Sequence, residues 1–260
     1  MIEIDVIVLS FSKDEILKKV TVDCLSSLFS SEDNKMISFN CIVLESNRTL
    51  APYQFENCTT IYPLGKFGFN KFVNIGLRIT KSPYLVIANN DLFFHPGWAT
   101  EILSAMAVDQ SIVSASPVCS YFHPQLGIQI NSGNYFGYEI RKEVAGWCIF
   151  CKRHIFNQIG FLDEKLKFWY CDSDYVNNLK LHGFKHMLIS SSVVDHLDGR
   201  TTKELSKAQY FDFTNIAYLY YDYKWNHRNK LIYLRRLIYF KLRLYNLKLR
   251  QTISYFNKKK

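Results

Sequence analysis

The sequence predicts an α/β fold in which a mostly parallel central sheet carries helices on both faces. Three observations lead to that expectation. Apolar, β-branched runs alternate with stretches of helical spacing over the first hundred residues, and this pattern builds parallel strands joined by crossover helices. Polar residues recur just after strand ends, at Ser10, Ser12, Glu45, Asn47 and Asp91, and ligands in open α/β sheets bind at those carboxyl edges. Apolar residues fill 48% of the 260 positions, enough for a sizeable core and too many for a disordered chain.

The elements follow in order. Ile4-Asp5-Val6-Ile7-Val8-Leu9 reads as the first strand and residues 14–29 as the first helix, with Ser12 and Glu15 spaced as a capping box. Residues 39–44 form a second strand and 59–62 a short third one. A loop between Gly65 and Gly68 leads to a helix over 70–79 marked by Phe72, Ile75 and Ile79. After the Ser82-Pro83 break, Tyr84-Leu85-Val86-Ile87-Ala88 reads as a buried strand delivering Asn89-Asn90-Asp91 to its carboxyl edge. Asn and Asp also make turns, so Asp91 carries both a turn and a site reading. Pro117, Pro124, Gly127, Gly133 and Gly137 interrupt residues 112–146, which read as specificity loops or as a plain β-meander. An apolar stretch over 147–150 and a helix over 152–159, stopped by Gly160, come next. Helical spacing resumes at Tyr175 and stops at Gly183, and Met187-Leu188-Ile189 is a further strand ahead of Val193-Val194-Asp195-His196.

Seven cysteines, an odd number set in apolar segments, fit buried thiols in a reducing, cytosolic compartment. Cys148 and Cys151 have a metal-like spacing, but no second pair completes a zinc site and the small-large alternation suggests a strand. The acidic start, Met1-Ile2-Glu3-Ile4-Asp5, lacks the bases of a secretory signal. No apolar stretch approaches the ~20 residues that span a bilayer.

The net charge of +9 is unevenly placed. Residues 224–260 hold twelve Lys and Arg and no acid, which leaves −3 on residues 1–223. The chain therefore divides into a domain at 1–223 that does the chemistry and a basic tail at 224–260 that meets an anionic partner.

Asp172 and Asp174 stand at the amino end of the helix that begins near Tyr175. Acids there are commonly caps that offset the helix dipole. One cap suffices, which leaves the other carboxylate for a substrate, and neighbouring carboxylates favour a raised pKa in one of them, as a general base requires. His196 reads either as a hydrogen-bonded structural residue or, with Asp91, as half of a site for a hard divalent cation completed by substrate phosphates.

These blocks, in the order Ser10-Phe11-Ser12, Glu45-Ser46-Asn47, Asn74-Ile75-Gly76, Ala88-Asn89-Asn90-Asp91, residues 146–153, Gly160-Phe161-Leu162-Asp163-Glu164 and Tyr170-Cys171-Asp172-Ser173-Asp174, resemble the inverting glycosyltransferase family 2 with its GT-A fold. The likeness is greatest to its rhamnosyltransferase-like members and covers roughly residues 4–200. It implies that Ser10, Ser12, Glu45, Asn74, Asn90 and Asp91 bind the nucleotide-sugar. Asp91 and His196 would hold Mn²⁺ or Mg²⁺ against its diphosphate, and Asp172 would be the catalytic base. Trp147 and Asp174 are secondary candidates on the acceptor side. Three positions depart from the family pattern: Asn89 replaces the first acid of the DxD motif, Cys171 the Glu of the ED pair, and Glu45 the usual Asp.

In the tail, Leu231, Leu234, Ile238, Leu242, Tyr245 and Leu249 form an apolar helical stripe, while Arg236, Arg243 and Arg250 recur on another face. Such a basic amphipathic helix lies on an anionic membrane surface. It could also dock on the domain itself or hold nucleic acid. The expected activity is transfer of a sugar from a nucleotide-sugar donor to a glycan or lipid-linked glycan acceptor, such as an O-antigen or capsule intermediate. The expected location is cytoplasmic, peripheral on the inner face of the membrane. Transfer to modified DNA bases, or a degenerate GT-A module that only binds, are the alternatives.

Overall fold

A computed structural model describes residues 1–197, 206–226 and 229–257. The elements in chain order are β1 (Ile2–Ser10), α1 (Glu15–Ser30), β2 (Ile37–Glu45), β3 (Cys58–Ile61), α2 (Phe69–Ile79), β4 (Tyr84–Asn89), β5 (Leu92–Phe94), α3 (Trp98–Val108), β6 (Ile112–Val118), β7 (Asn134–Phe136), β8 (Cys148–Lys152), α4 (Phe156–Ile159), α5 (Cys171–Leu181), β9 (Lys185–His196), α6 (Lys207–Phe211), α7 (Ala217–Trp225) and α8 (Lys230–Asn257). A π-helical turn, Asp212–Ile216, joins α6 to α7.

The described strands form one sheet in the order β3-β2-β1-β4-β8-β6-β9-β5, with β7 beside β9. The half from β3 to β4 is parallel. β8 runs antiparallel between β4 and β6, while β6 and β9 are parallel to each other. The chain leaves β1 first toward β2 and β3 and later returns to β1's other side as β4. That reversal of strand order opens the crevice where α/β sheets bind ligands.

Alternate residues of β1 face opposite sides, as the strand period of two requires. Val6 and Val8 join a core with Leu25, Leu28, Trp98 and Ile102 from α1 and α3. Ile7 and Leu9 join another with Phe72, Val73, Tyr175 and Leu179 from α2 and α5. Helices thus cover both faces, and each such buried side chain contributes about 1.5–3 kcal/mol. Helix α2 packs closely enough that a Cβ on Gly76 would lie 2.5 Å from Ile7 Cδ1.

Several elements differ from the sequence reading. The cap of α1 is Asp14, whose Oδ1 accepts the Leu17 N–H at 2.8 Å; Ser12 is turned inward and is fully buried. Residues 112–146 are not a meander: β6 lies inside the sheet, β7 pairs with β9, and the remainder returns as a loop to β8. The strand read at 187–189 extends further, since β9 runs from Lys185 through Val193-Val194-Asp195 to His196. In place of a helix over 152–159, Lys152 ends β8, and residues 153–159 form a 3₁₀ turn and the single turn α4, ended by Gly160 at φ 68°.

The tail helix α8 has two apolar faces. Tyr233 stacks on Tyr223 at 4.3 Å, Phe240 meets Phe211 at 5.5 Å, and Arg243 covers the Phe211 ring. The stripe anticipated from sequence is the other face: Leu231, Ile238, Leu242 and Tyr245 are each at least 60% exposed. The division at 223/224 falls inside α7, and Lys224 and Trp225 are bound to the body of the domain. No described helix is long and apolar enough to cross a membrane.

Candidate functional site

Register places the ends of β1, β2 and β4 side by side, with Ser10 opposite Glu45 and Leu9 opposite Asn89. A buried polar network fills this corner. Ser10 Oγ lies 3.1 Å from Ser12 Oγ and from Thr21 Oγ1, and 3.2 Å from the Tyr53 hydroxyl. Glu45 Oε1 accepts the N–H groups of Ser12 and Asn47, and Oε2 accepts the Tyr53 hydroxyl at 2.8 Å. The Asn90 amide donates to Thr21 Oγ1 at 2.8 Å and to Ser10 Oγ at 3.3 Å.

Ser10, Ser12 and Glu45 are wholly buried, so they frame the corner from within and present no free side chain to a ligand. Burial, the main influence, pushes the Tyr53 phenol above its ordinary pKa, and the nearby Glu45 carboxylate adds to this. The phenol therefore stays a donor to that carboxylate. Asn74 also departs from expectation. It is 1% exposed, and its amide bonds the Leu162 carbonyl and N–H and the Glu164 carboxylate. It bolts α2 to the loop over 162–164.

Beside the network, Asp91 Oδ1 lies 3.3 Å from His196 Nε2. The Leu197 N–H donates to the Asp91 carbonyl, which ties β9's end to this turn. The His196 ring stacks on the Trp147 indole at 5.2 Å and 3°, and Trp147 is held in turn by its carbonyl, which accepts the Asn89 N–H at 2.9 Å. Trp147 is 9% exposed, yet its indole N–H has no partner. The next residue back, Gly146, is where the site turns to its second half. A Cβ there would fall 2.9 Å from Asp172 Oδ2.

Contacts thus run without a break from Asp91 through His196, Trp147 and Gly146 to Asp172. Asp172 Oδ1 accepts the Ser173 N–H at 2.8 Å. Burial raises its pKa above the usual carboxylate range, partly countered by backbone hydrogen bonds and by the positive field of Arg141. Arg141 is itself held in the left-handed region at φ 70°, a conformation that costs energy in a residue with a side chain and concentrates at functional sites.

Neither acid is the N-cap of α5. That position is Tyr170, at φ 66°, with no side-chain cap bond. Asp174 is 1% exposed and bonds Lys224 and Trp225, so it faces α7 and not Asp172's side of the helix end. All seven cysteines are free thiols, and Cys148 and Cys151 sit buried in β8.

Among the described residues no group of three His, Cys, Asp or Glu side chains converges on one point. Asp91 and His196 nonetheless form a fitting half-site for a hard divalent cation. Such ions use one or two protein ligands and complete their shell with water and substrate phosphate. The Trp147 indole N–H, on the ring stacked against His196, is buried and has no protein partner. Sequence reasoning missed Tyr53 and Arg141, which sit in segments without periodic pattern, and Thr21, which reads as one more residue of α1; it gave Gly146 no role of its own.

No family model matches the chain, and comparison with curated proteins finds no match. Solved structures do match. GalNAc-T7, solved with UDP, GalNAc and Mn²⁺, has a TM-score of 0.59 at 11% identity, over 93% of this chain and 54% of its own. The Pyrobaculum calidifontis mannosyltransferase PcManGT, in complex with GDP-Man and Mn²⁺, scores 0.58 at 11% identity, over 93% and 69%. S. aureus TarS residues 1–349 score 0.52 at 14% identity, over 83% and 64%. The fold is that of the GT-A glycosyltransferases, and the chain spans about half the length of GalNAc-T7.

The raised pKa of Asp172 makes a stability prediction. The folded state keeps this proton to higher pH than the unfolded chain does, so its contribution to stability is present below the unfolded pKa and is lost as pH rises through the folded one. Asp172→Asn should therefore be more stable than the parent at pH 7. The difference should shrink as pH falls and vanish below about pH 3, where both states of the parent are protonated; denaturant unfolding at the two pH values measures it.

Proposed function

We propose that this chain is a metal-assisted, inverting glycosyltransferase, akin to the rhamnosyltransferase-like members of family 2. It moves a sugar from a nucleoside-diphosphate donor to a hydroxyl of a glycan or lipid-linked glycan acceptor, such as an O-antigen or capsule intermediate. The observation that carries this reading is the unbroken line of contacts that sets Asp91 and His196 beside one wall of residues 146–147 and Asp172 beside the other. Nucleotide and Mn²⁺ accompany two similar structures, GalNAc-T7 and PcManGT, which supports a donor of that class.

Asp91 and His196 would hold the cation, which when bound offsets charge growing on the departing diphosphate. The network of Ser10, Thr21, Glu45 and Tyr53 keeps Asn90 and the strand ends fixed behind the donor. Asp172 takes the proton of the acceptor hydroxyl as that oxygen forms its bond to the anomeric carbon. The bond from that carbon to the phosphate oxygen breaks, its electron pair leaves with the diphosphate, and the single displacement inverts the anomeric centre. A base held above the ordinary carboxylate pKa takes up a proton more readily than an ordinary carboxylate does. Gly146 keeps the space beside the carboxylate clear.

The exposed face of α8 supports a second part of the reading, a place on the inner face of a membrane. Its apolar stripe is flanked by bases such as Arg235, Lys241 and Lys248, with no acid along the helix. Over about 42 Å this face suits the interfacial layer of an anionic bilayer.

Transfer from a nucleotide-sugar should fall roughly 10²–10⁴-fold in Asp172→Asn with nucleotide binding kept, and about 10²-fold in Gly146→Ala, whose methyl displaces the base. Turnover at the parent rate in Asp172→Asn would overturn the assignment. Vesicles containing phosphatidylglycerol should bind the protein, and Ile238→Asp with Leu242→Asp should weaken that by tenfold or more, since each loses about 1.5–3 kcal/mol of burial. Binding to duplex DNA in place of vesicles would contradict the membrane reading.

A further inference from the structure

Helix α5 carries the base in its first turn, but it starts without the usual means of fixing a helix end. Its N-cap, Tyr170, sits in the left-handed region and offers no side-chain acceptor to the free N–H groups. The turn is held from outside, by α7. Lys224 Nζ lies 2.7 Å from Asp174 Oδ1 and 3.1 Å from Asp163 Oδ2. The Trp225 indole N–H donates to the same Asp174 oxygen at 2.7 Å, and the Tyr220 hydroxyl donates to Asp163 Oδ2 at 2.6 Å. The Tyr221 ring stacks on Tyr170 at 5.2 Å while its hydroxyl accepts from Asn177 at 2.8 Å.

One short helix thus grips both ends of the segment 163–174 and the cap residue itself. Asp174 is 1% exposed. A buried ion pair adds little net stability compared with apolar side chains of the same shape, because desolvating both charges offsets their attraction. What it does supply is a single geometry, since the carboxylate must stay where Lys224 and Trp225 can reach it. Asp172 is two residues away in the same turn. It has the Ser173 N–H to orient it and the narrow space at Gly146 to occupy.

We infer that Lys224, together with Trp225, is a positioning residue for the transfer reaction: by fixing Asp174 it locks the first turn of α5 and so the aim of the Asp172 carboxylate. The inference rests on the reading of Asp172 as the base, and it makes α7 part of the catalytic unit and not part of a detachable tail.

Lys224→Met alone strands the Asp174 charge in the interior and can unfold the protein. The informative variant is therefore the neutral pair Lys224→Met/Asp174→Asn, in which the introduced side-chain amide still offers an oxygen to the Trp225 indole. Three measurements on the full chain apply. The thermal midpoint of the pair should stay within about 4 °C of the parent. Its kcat should drop about 10²-fold at unchanged donor KM, and Lys224→Arg, which restores the charge, should recover most of kcat. Amide hydrogens of residues 171–175 should exchange faster in the pair than in the parent. Parent-like kcat in the pair, parent-like exchange in α5, or an equal loss of donor binding and kcat would each overturn the inference. If the parent itself transfers no sugar from any nucleotide-sugar, the functional reading fails, and amide exchange alone then decides whether Lys224 fixes the turn.

Discussion

The site depends on how closely residues 146–147 pass between strand β9 and helix α5. On one side the Trp147 ring lies flat on His196, which places the imidazole nitrogen beside Asp91. On the other, the missing side chain of Gly146 leaves room for the Asp172 carboxylate, which sits 2.9 Å from where a Cβ would be. Widening this passage would separate the carboxylate and imidazole at one end of the site from the carboxylate at the other. Narrowing it would expel Asp172. Interiors pack too densely to absorb either change without moving neighbours.

The surroundings of the passage consist mostly of side chains that are already bonded to each other. Glu45, Ser10, Ser12 and Tyr53 satisfy one another in the interior, and Asn74 bolts α2 to the loop over 162–164. Satisfied buried networks of this kind rigidify what they hold, whereas an unpaired member would be costly. Among the described residues, the buried side-chain groups left without protein partners are few, and they include the Trp147 indole N–H. A frame whose own polar groups are bonded to one another holds the Asp91 and His196 pair in a fixed geometry at the strand ends.

The fold is legible in the sequence because its first half obeys simple periodicities: β-branched strands, helices between them, and polar residues at successive strand ends. Asp91, Asp172 and His196 are each visible as acids or an imidazole at element boundaries, although their proximity is a tertiary fact. The cap of α1 lies two positions beyond the one that spacing suggests, since Ser12 and Asp14 are both able to cap and only the buried network decides between them. Tyr53 gives no signal, because its role depends on Glu45 across the sheet edge. Asn74 reads as available, but its amide is consumed by Leu162 and Glu164. In α8 the charge-free stripe is indeed a face, but that face is exposed while Tyr233 and Phe240 do the docking. Lys224 counts as one basic residue of the tail until its distances to Asp163 and Asp174 place it in the body.

The central claim is that Asp91 and His196 form half of a cation site that a nucleoside diphosphate completes. Electron paramagnetic resonance of Mn²⁺ tests it directly, because the six-line signal of the free ion is lost on binding. With UDP or GDP, the signal should fall only when protein and nucleotide are both present, beyond the loss due to nucleotide alone, and it should largely return in Asp91→Ala and His196→Ala. A signal unaffected by the protein, or a loss undiminished in Asp91→Ala, would contradict the account.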